Sequence, residues 1–297
     1  MQQFFFNHIT KNILKFLYKS FHSKAYKHNR RYWPYYKAIR NDEGDLEQLF
    51  FNKRLIADHT KPFKSDKKTC VLVATGPSIK EIDHRFFSNP DYDYIGVNGA
   101  ISLDYIHFKY YVIIDFNFTT KRFDLVLKVL KSDCIFFTTP RCLGIILNKI
   151  DPSQIKCQIK IIETILQDDT IEPFMGKKQK IDPTKPYFHL YDKFGFSTNI
   201  FNAVFDYLTV PYVALQVCYA IGFKEIYIAG LDMNNFSQPR FYENSENKQP
   251  TMLDQYLHLI FPAFDAAATF LSEQNVQVYN LSPQSAIESF KKIQLPN

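Results

Sequence analysis

No run of 18 consecutive apolar residues occurs in this sequence, so no segment is expected to cross a bilayer as a helix. The layout of a cleaved secretory leader is missing, because Lys11, Lys15 and Lys19 interrupt the apolar stretch near the start. The five cysteines, Cys70, Cys134, Cys142, Cys157 and Cys218, are odd in number, widely spaced and form no C-x-x-C pair. A disulfide framework and a cysteine-rich zinc site are therefore not expected. Three of the cysteines fall in apolar runs and read as small core residues. Neither G-x-x-x-x-G-K-[ST] nor G-x-G-x-x-G is present, so the usual ATP and NAD fingerprints are lacking. Internal repeats and low-complexity tracts are lacking too. What remains is an ordinary globular composition, 46% hydrophobic and 22% charged over 297 residues, which excludes disorder along the whole length.

Acidic residues are missing from one region in particular. Residues 1–40 carry nine Lys or Arg and no Asp or Glu, leaving 27 basic residues against 30 acidic ones in the rest. The net charge of +6 thus originates entirely in the first forty residues. The same region is rich in aromatics, from Phe4, Phe5 and Phe6 to Tyr35 and Tyr36. Ile9, Ile13, Phe16, Leu17 and Phe21 recur at helical spacing, with Lys11, Lys15 and Lys19 on other faces. The pattern suits a helix lying in a membrane interface, where each basic side chain near an anionic surface contributes roughly 1 kcal/mol. It also suits a helix packed on the main domain with a solvated basic rim. Nucleic acid is not the expected partner, since the rest of the chain is mildly acidic.

Residues 41–66 are polar and mixed, and read as a connector. The division expected is a basic aromatic extension over 1–66 and an α/β domain over 67–297. Apolar strands are predicted at Cys70–Thr75, Tyr94–Asn98, Tyr110–Asp115, Cys134–Thr139, Ile159–Ile162, Glu225–Ala229 and Val276–Asn280. Helices are predicted at about 79–88, 122–131, 199–221 and 252–274. Strands that are apolar throughout and alternate with helices predict a largely parallel, Rossmann-like sheet covered on both faces. Residues 164–198 are the least regular stretch, either a lid or a plain surface excursion.

The first strand runs into A-T-G-P-S-I-K-E-I-D, with Ser78 and Glu81 spaced as a capping box. Ligands of open α/β sheets bind beyond the carboxyl ends of strands. Thr75, Gly76, Pro77 and Ser78 are therefore candidates to contact a nucleotide. Asn98 and Asp115 end the next two strands and would converge on the same edge. Thr209 is the expected N-cap of a buried helix that Gly222 ends, and Asp232 follows the strand after it. Arg240 and Tyr242 lie in a polar loop, where a guanidinium and a phenol suit a phosphate. His258 opens the last long helix. Asp91-Tyr92-Asp93 has the spacing of a metal-binding D-x-D, but it precedes a strand and reads as a turn.

Three blocks carry a resemblance: A-T-G-P-S-I-K-E-I-D, G-F-K-E-I-Y-I-A-G-L-D and the closing V-Y-N-L-S-P. They look like the CMP-sugar-dependent bacterial glycosyltransferases, among them the lipooligosaccharide sialyltransferases. The stretch G-L-D…R-F-Y-E…P-T-M-L…I-F-P-A-F…Y-N-L-S-P is more similar to the lipopolysaccharide-core transferases of Kdo, 3-deoxy-manno-octulosonic acid. The resemblance covers about 68–290 and is patchy over 140–200. It implies a GT-A-like variant of the Rossmann-like fold. It also implies inverting transfer of Kdo, or a related keto-sugar such as sialic acid, from a CMP donor to a hydroxyl of the inner core. By matching positions, Thr75, Asn98, Asp115 and Thr209 would hold the nucleotide, with Gly76, Pro77, Ser78, Asp232 and Ser282 around it. Tyr242 and Arg240 would meet the leaving phosphate. His258, 25 residues before Pro283, would be the general base. No metal or other cofactor is expected. The compartment implied is cytoplasmic, peripheral on the inner membrane through residues 1–40, beside a lipopolysaccharide or glycolipid acceptor. Competing readings are a lipooligosaccharide sialyltransferase, a pterin-type pyrophosphokinase sharing the G-P-S turn, and a non-catalytic membrane-associated sugar-binding protein.

Overall fold

The computed structural model describes residues 8–166, 168–234 and 236–294, with side chains from Asn12 onward. Eight strands form the central sheet: β1 (Thr69–Val73), β2 (Tyr92–Val97), β3 (Tyr110–Ile113), β4 (Ile135–Thr138), β5 (Gln158–Ile161), β6 (Glu225–Ala229), β7 (Gln277–Asn280) and β8 (Lys291–Lys292). Every adjacent pair is parallel. The spatial order is β8-β7-β6-β1-β2-β3-β4-β5. The chain steps outward from β1 to β5, then returns to lay β6 against the other side of β1. The order therefore reverses between β1 and β6, and a crevice opens at the carboxyl ends of strands at such a switch point.

Alternation along β1 divides the core. Cys70 and Leu72 face one apolar cluster, Val71 and Val73 the other, as the two-residue period of a strand requires. The first cluster is closed by α5 (Val210–Ile221) and α6 (Leu257–Glu273). The second is closed by α3 (Phe123–Lys131) and α4 (Pro140–Lys149), with the amino-terminal strands behind them. All five cysteines are free and buried.

Several sequence expectations are corrected. The supposed connector 41–66 contributes to a three-stranded antiparallel sheet, Tyr36–Arg40, Leu46–Phe51 and Arg54–Asp58, which buries Leu46, Leu49 and Ala57. Glu47 and Gln48 stand side by side between the buried Leu46 and Leu49, so no two-residue alternation marks the strand in the sequence. The helix expected over 79–88 is two short 3-10 turns, Pro77–Glu81 and His84–Ser88. The Ser78–Glu81 box does not cap, because the Ser78 hydroxyl is taken by Asp232 and Ser282. The helix expected from 199 begins at Val210, after a short strand at Val204–Phe205. Asp93 lies on β2 rather than in a turn, buried and paired with Lys67 and Lys109. Two helices went unpredicted, α4 and the short α2 (Phe116–Lys121). The stretch 164–198 holds short strands, among them the hairpin Phe188–Tyr191 with Phe194–Ser197.

The first described helix, α1 (His8–Phe21), follows the predicted periodicity. It packs through Tyr18, which is buried and stacks on His22 with ring centroids 3.8 Å apart. Ile13, Phe16, Leu17 and Phe21 are left exposed, Phe21 by 80%. Phe4, Phe5 and Phe6 and the side chain of Ile9 lie outside the described residues. No described helix is long and apolar enough to cross a membrane.

Candidate functional site at the switch point

The two strands that flank the reversal are tied together just past their ends. Ala74 N–H donates to the Ala229 carbonyl at 2.8 Å, and Gly76 N–H to the Gly230 carbonyl at 2.9 Å. Ser78 N–H donates to Asp232 Oδ2 at 3.0 Å, and the Ser78 hydroxyl donates to Asp232 Oδ1. Ser282, past the end of β7, shares a hydroxyl–hydroxyl bond of 2.7 Å with Ser78. Four predicted residues, Gly76, Ser78, Asp232 and Ser282, therefore meet in one network across β1, β6 and β7. No side chain fits at Gly76: a Cβ there would stand 2.3 Å from Asp232 Oδ2 and 2.6 Å from the Gly230 carbonyl oxygen. The Asp232 carboxylate is engaged with Ser78, so what it visibly does is hold the turn.

The loop after β6 folds back over the same rim. Phe241 N–H reaches the Thr75 carbonyl at 3.4 Å, which sets Arg240 and Tyr242 beside the Gly76 bend. The Tyr242 ring lies on Gly99, where a Cβ would come within 2.2 Å of it. Gly99 follows Asn98 at the end of β2, so the bare backbone at 99 seats the tyrosine over that strand end. Asn98 has φ +46°, a left-handed conformation an asparagine tolerates. Its Oδ1 is buried with no hydrogen-bond partner. The Tyr242 phenol is raised above its ordinary value by burial, with the charges of Arg240 and Arg122 opposing the rise. Arg240 forms an ion pair of 3.0 Å with Glu243, whose side chain is fully buried.

Two acids and a threonine complete the rim. Asp115, past the end of β3, accepts from Asn117 N–H at 2.7 Å and Phe118 N–H at 3.2 Å, so it caps α2. Helix α5 runs back toward the start of β6, which puts its first residues at the carboxyl edge of the sheet. Thr209 occupies the N-cap position there, yet its side chain caps nothing. Its hydroxyl is buried without a partner in a residue only 3% exposed. Asp206, three residues earlier, was not singled out by sequence. Burial pushes its carboxyl up to about 6; a bond from Leu208 N–H opposes this and the Asp115 charge adds to it. Arg122, between α2 and α3, was missed as well. Its guanidinium carbon stands 5.3 Å from the Tyr242 ring centroid. It stands at the C-cap of α2, where no local pattern singles it out.

His258 sits in the first turn of α6, exposed, its ring 6.4 Å from that of Tyr256. No hydrogen bond draws it into the network above. Pro77 opens the 3-10 turn after Gly76 and supplies no side-chain donor. Among the described residues, no group of three His, Cys, Asp or Glu is placed to hold a metal ion. Two hollows lie elsewhere, one beside α6, β7 and β8, the other between Leu55–Asp58 and β5; neither is lined by a rim residue.

Similarity to known proteins covers part of the chain. Against the curated "Probable 3-deoxy-manno-octulosonic acid transferase" of Salmonella typhimurium the chain is 37% identical over 79 residues. The protein of the same name from Escherichia coli K12 is 32% identical over 81 residues. Each alignment spans 27% of this chain and little more than a quarter of the relative's length, 28% and 27%. Among solved structures, the sialyltransferase CstII of Campylobacter jejuni with cytidine-5'-monophosphate superposes with a TM-score of 0.45 at 16% identity, over 78% of this chain and 87% of that one. The monofunctional alpha-2,3-sialyltransferase Cst-I of the same organism gives 0.44 at 13%, over 80% and 84%. At that level of superposition no residue role passes from them to this chain. Residues 185–295, which include Thr209, Asp232, Arg240, Tyr242, His258 and Ser282, match the family described as 3-deoxy-D-manno-octulosonic acid transferase WaaZ.

Proposed function

We propose that this protein is an inverting glycosyltransferase that moves Kdo, or a related keto-sugar acid, from a CMP-activated donor to a hydroxyl of the lipopolysaccharide inner core. The observation that carries this reading is the convergence of the Gly76 bend, Asn98 and Tyr242 at the switch point, inside a chain whose residues 185–295 match a Kdo transferase family. A glycine bend lets the backbone approach a nucleotide. The unpaired Asn98 Oδ1 and Thr209 hydroxyl are polar groups of the kind a bound ligand satisfies.

In the reaction, the bond from the anomeric carbon to the CMP phosphate breaks as an acceptor hydroxyl attacks from the opposite face. Charge develops on the leaving phosphate, and Tyr242 with Arg240 would stabilise it; one such donor is typically worth about 3 kcal/mol of barrier. To serve, Arg240 would share or exchange its Glu243 partner. His258 would accept the acceptor's proton, an imidazole being suited to general base work near neutrality. No metal ion or other cofactor enters this scheme.

The acceptor is placed at the cytoplasmic surface of the inner membrane. Exposed Ile13, Phe16, Leu17 and Phe21 on α1, within a region of nine basic and no acidic residues, would seat the protein there. Flotation with phosphatidylglycerol vesicles tests this: the intact chain should co-float, and Phe16→Glu/Phe21→Glu should not.

The deciding experiment supplies CMP-Kdo and CMP-sialic acid separately, with and without EDTA, and follows CMP release. Release from CMP-Kdo that EDTA does not abolish is expected. Preference for CMP-sialic acid would move the reading to a sialyltransferase, and a need for Mg²⁺ and ATP would move it to a pyrophosphokinase. Full transfer by His258→Ala would remove that residue as base.

A further inference from the structure

We propose that Arg122 is the residue that receives an anionic oxygen of the donor, paired with the Tyr242 hydroxyl. This rests on the sugar-nucleotide reading above and adds a side chain that neither the sequence motifs nor the resemblance assigns. Arg122 stands at a joint built by the backbone. Its N–H closes α2 on the Phe118 carbonyl at 2.8 Å, and its own carbonyl accepts from Leu125 N–H at 3.0 Å and Val126 N–H at 3.2 Å to open α3. The joint follows β3, whose carboxyl end lies on the same rim of the sheet, and the side chain is only 18% exposed.

The guanidinium is held in place but left under-used. It leans over the Tyr242 ring at 5.3 Å, and that ring is itself fixed on Gly99. Its contacts to Asp124 are long, 3.4 Å from Nε and 3.5 Å from Nη2, and Asp124 is mostly exposed. Nη1 is buried with no partner. The nearby Asn98 Oδ1, also without a partner, is an acceptor and is left for a donor group of the ligand. Leaving a charged donor buried and unpaired is costly, and such an atom marks a place that an incoming ligand completes. Because Nη1 carries positive charge and the tyrosine hydroxyl can add a second donor, the group completed there is an anion. A keto-sugar nucleotide offers two, the sugar carboxylate and the linking phosphate.

Binding of cytidine, CMP and CMP-Kdo to the wild type and to Arg122→Gln and Arg122→Lys separates these sources. Arg122→Gln is expected to weaken CMP-Kdo by about 10- to 100-fold and to leave cytidine unchanged, with Arg122→Lys in between. An equal loss for CMP assigns the oxygen to the phosphate; unchanged CMP assigns it to the carboxylate. A merely structural arginine would shift cytidine as well, which overturns the proposal. So does an Arg122→Gln variant that binds all three as the wild type does. Should the wild type bind no cytidylate, the sugar-nucleotide reading fails, and inorganic phosphate and free Kdo decide the arginine separately. Thermal stabilisation by either anion that Arg122→Gln abolishes retains an anion site; no stabilisation of the wild type by either overturns it.

Discussion

Two groups of buried polar side chains in this molecule are treated in opposite ways. Behind β5, where the amino-terminal strands dock, Lys160 and His59 are fully engaged, although Gln158 Nε2 on β5 and Glu163 Oε2 just after it are buried without a partner. Lys160 is fully buried, yet its ammonium donates to the Asp58 carbonyl at 2.7 Å and the Lys61 carbonyl at 2.8 Å. It also lies 5.7 and 5.9 Å from the ring centres of Phe63 and Phe201. His59 accepts from Ile161 N–H at 2.7 Å through Nε2, and Nδ1 faces the Glu47 carbonyl at 3.1 Å. At the switch-point rim, Asn98 Oδ1, Arg122 Nη1 and the Thr209 hydroxyl are buried and unpaired. The first set fastens one element to another. The second leaves binding capacity unspent where strands end, as a site awaiting a ligand does.

Breaking the engaged side should produce the largest change in stability. Lys160→Ala strands the Asp58 and Lys61 carbonyls and removes the fastening of the amino-terminal sheet. Urea unfolding should report a loss of about 3 kcal/mol or more, and an unchanged midpoint would show that the sheet is held by its apolar face alone. At the rim the effect moves from stability to activity. Gly99→Ala places a methyl inside the Tyr242 ring, so the ring must leave its seat. CMP release from the donor should fall about 100-fold, equivalent to about 3 kcal/mol of barrier, with a smaller shift in melting temperature; retained turnover would detach Tyr242 from the reaction.

Acidity sharpens the contrast further. The Asp206 carboxyl is raised to about 6 by burial, with the Asp115 charge adding to the rise. Its stabilising contribution is present below the unfolded value near 3.9 and is lost as pH climbs through about 6. Wild type and Asp206→Asn should therefore differ by about 2 kcal/mol more at pH 7 than at pH 4, the variant being favoured at the higher pH. A constant difference across that window would remove the burial argument. The smallest change is expected at Thr209→Val. The lost hydroxyl has no partner to strand, so stability should hold within about 0.5 kcal/mol, whereas the Kd for CMP should rise if that hydroxyl meets the nucleotide.

Much of the architecture was legible because parallel strands buried on both faces leave unbroken apolar runs. Tyr110–Ile113 and Thr69–Val73 were readable for that reason. Leu46–Phe51 was not, since the consecutive Glu47 and Gln48 break any two-residue alternation and look like a connector until the register with its neighbours is known. The turn after β1 was located correctly and its capping misjudged. Local spacing favours Ser78 with Glu81, but Asp232 arrives from 154 residues away and takes the hydroxyl. Tyr242 and Arg240 were visible as chemistry-bearing residues in a polar loop; Arg122 was not, because an arginine after a short helix resembles any solvated end.

Sequence alone settled the class of fold, the placement of the glycine bend and the concentration of positive charge at the start of the chain, since each depends on local pattern or composition. Tertiary structure decided which strand ends face one another, which polar groups are consumed in holding the turn, and which are left open. That follows from the reversal of strand order between β1 and β6, a long-range event that brings together residues no local pattern connects.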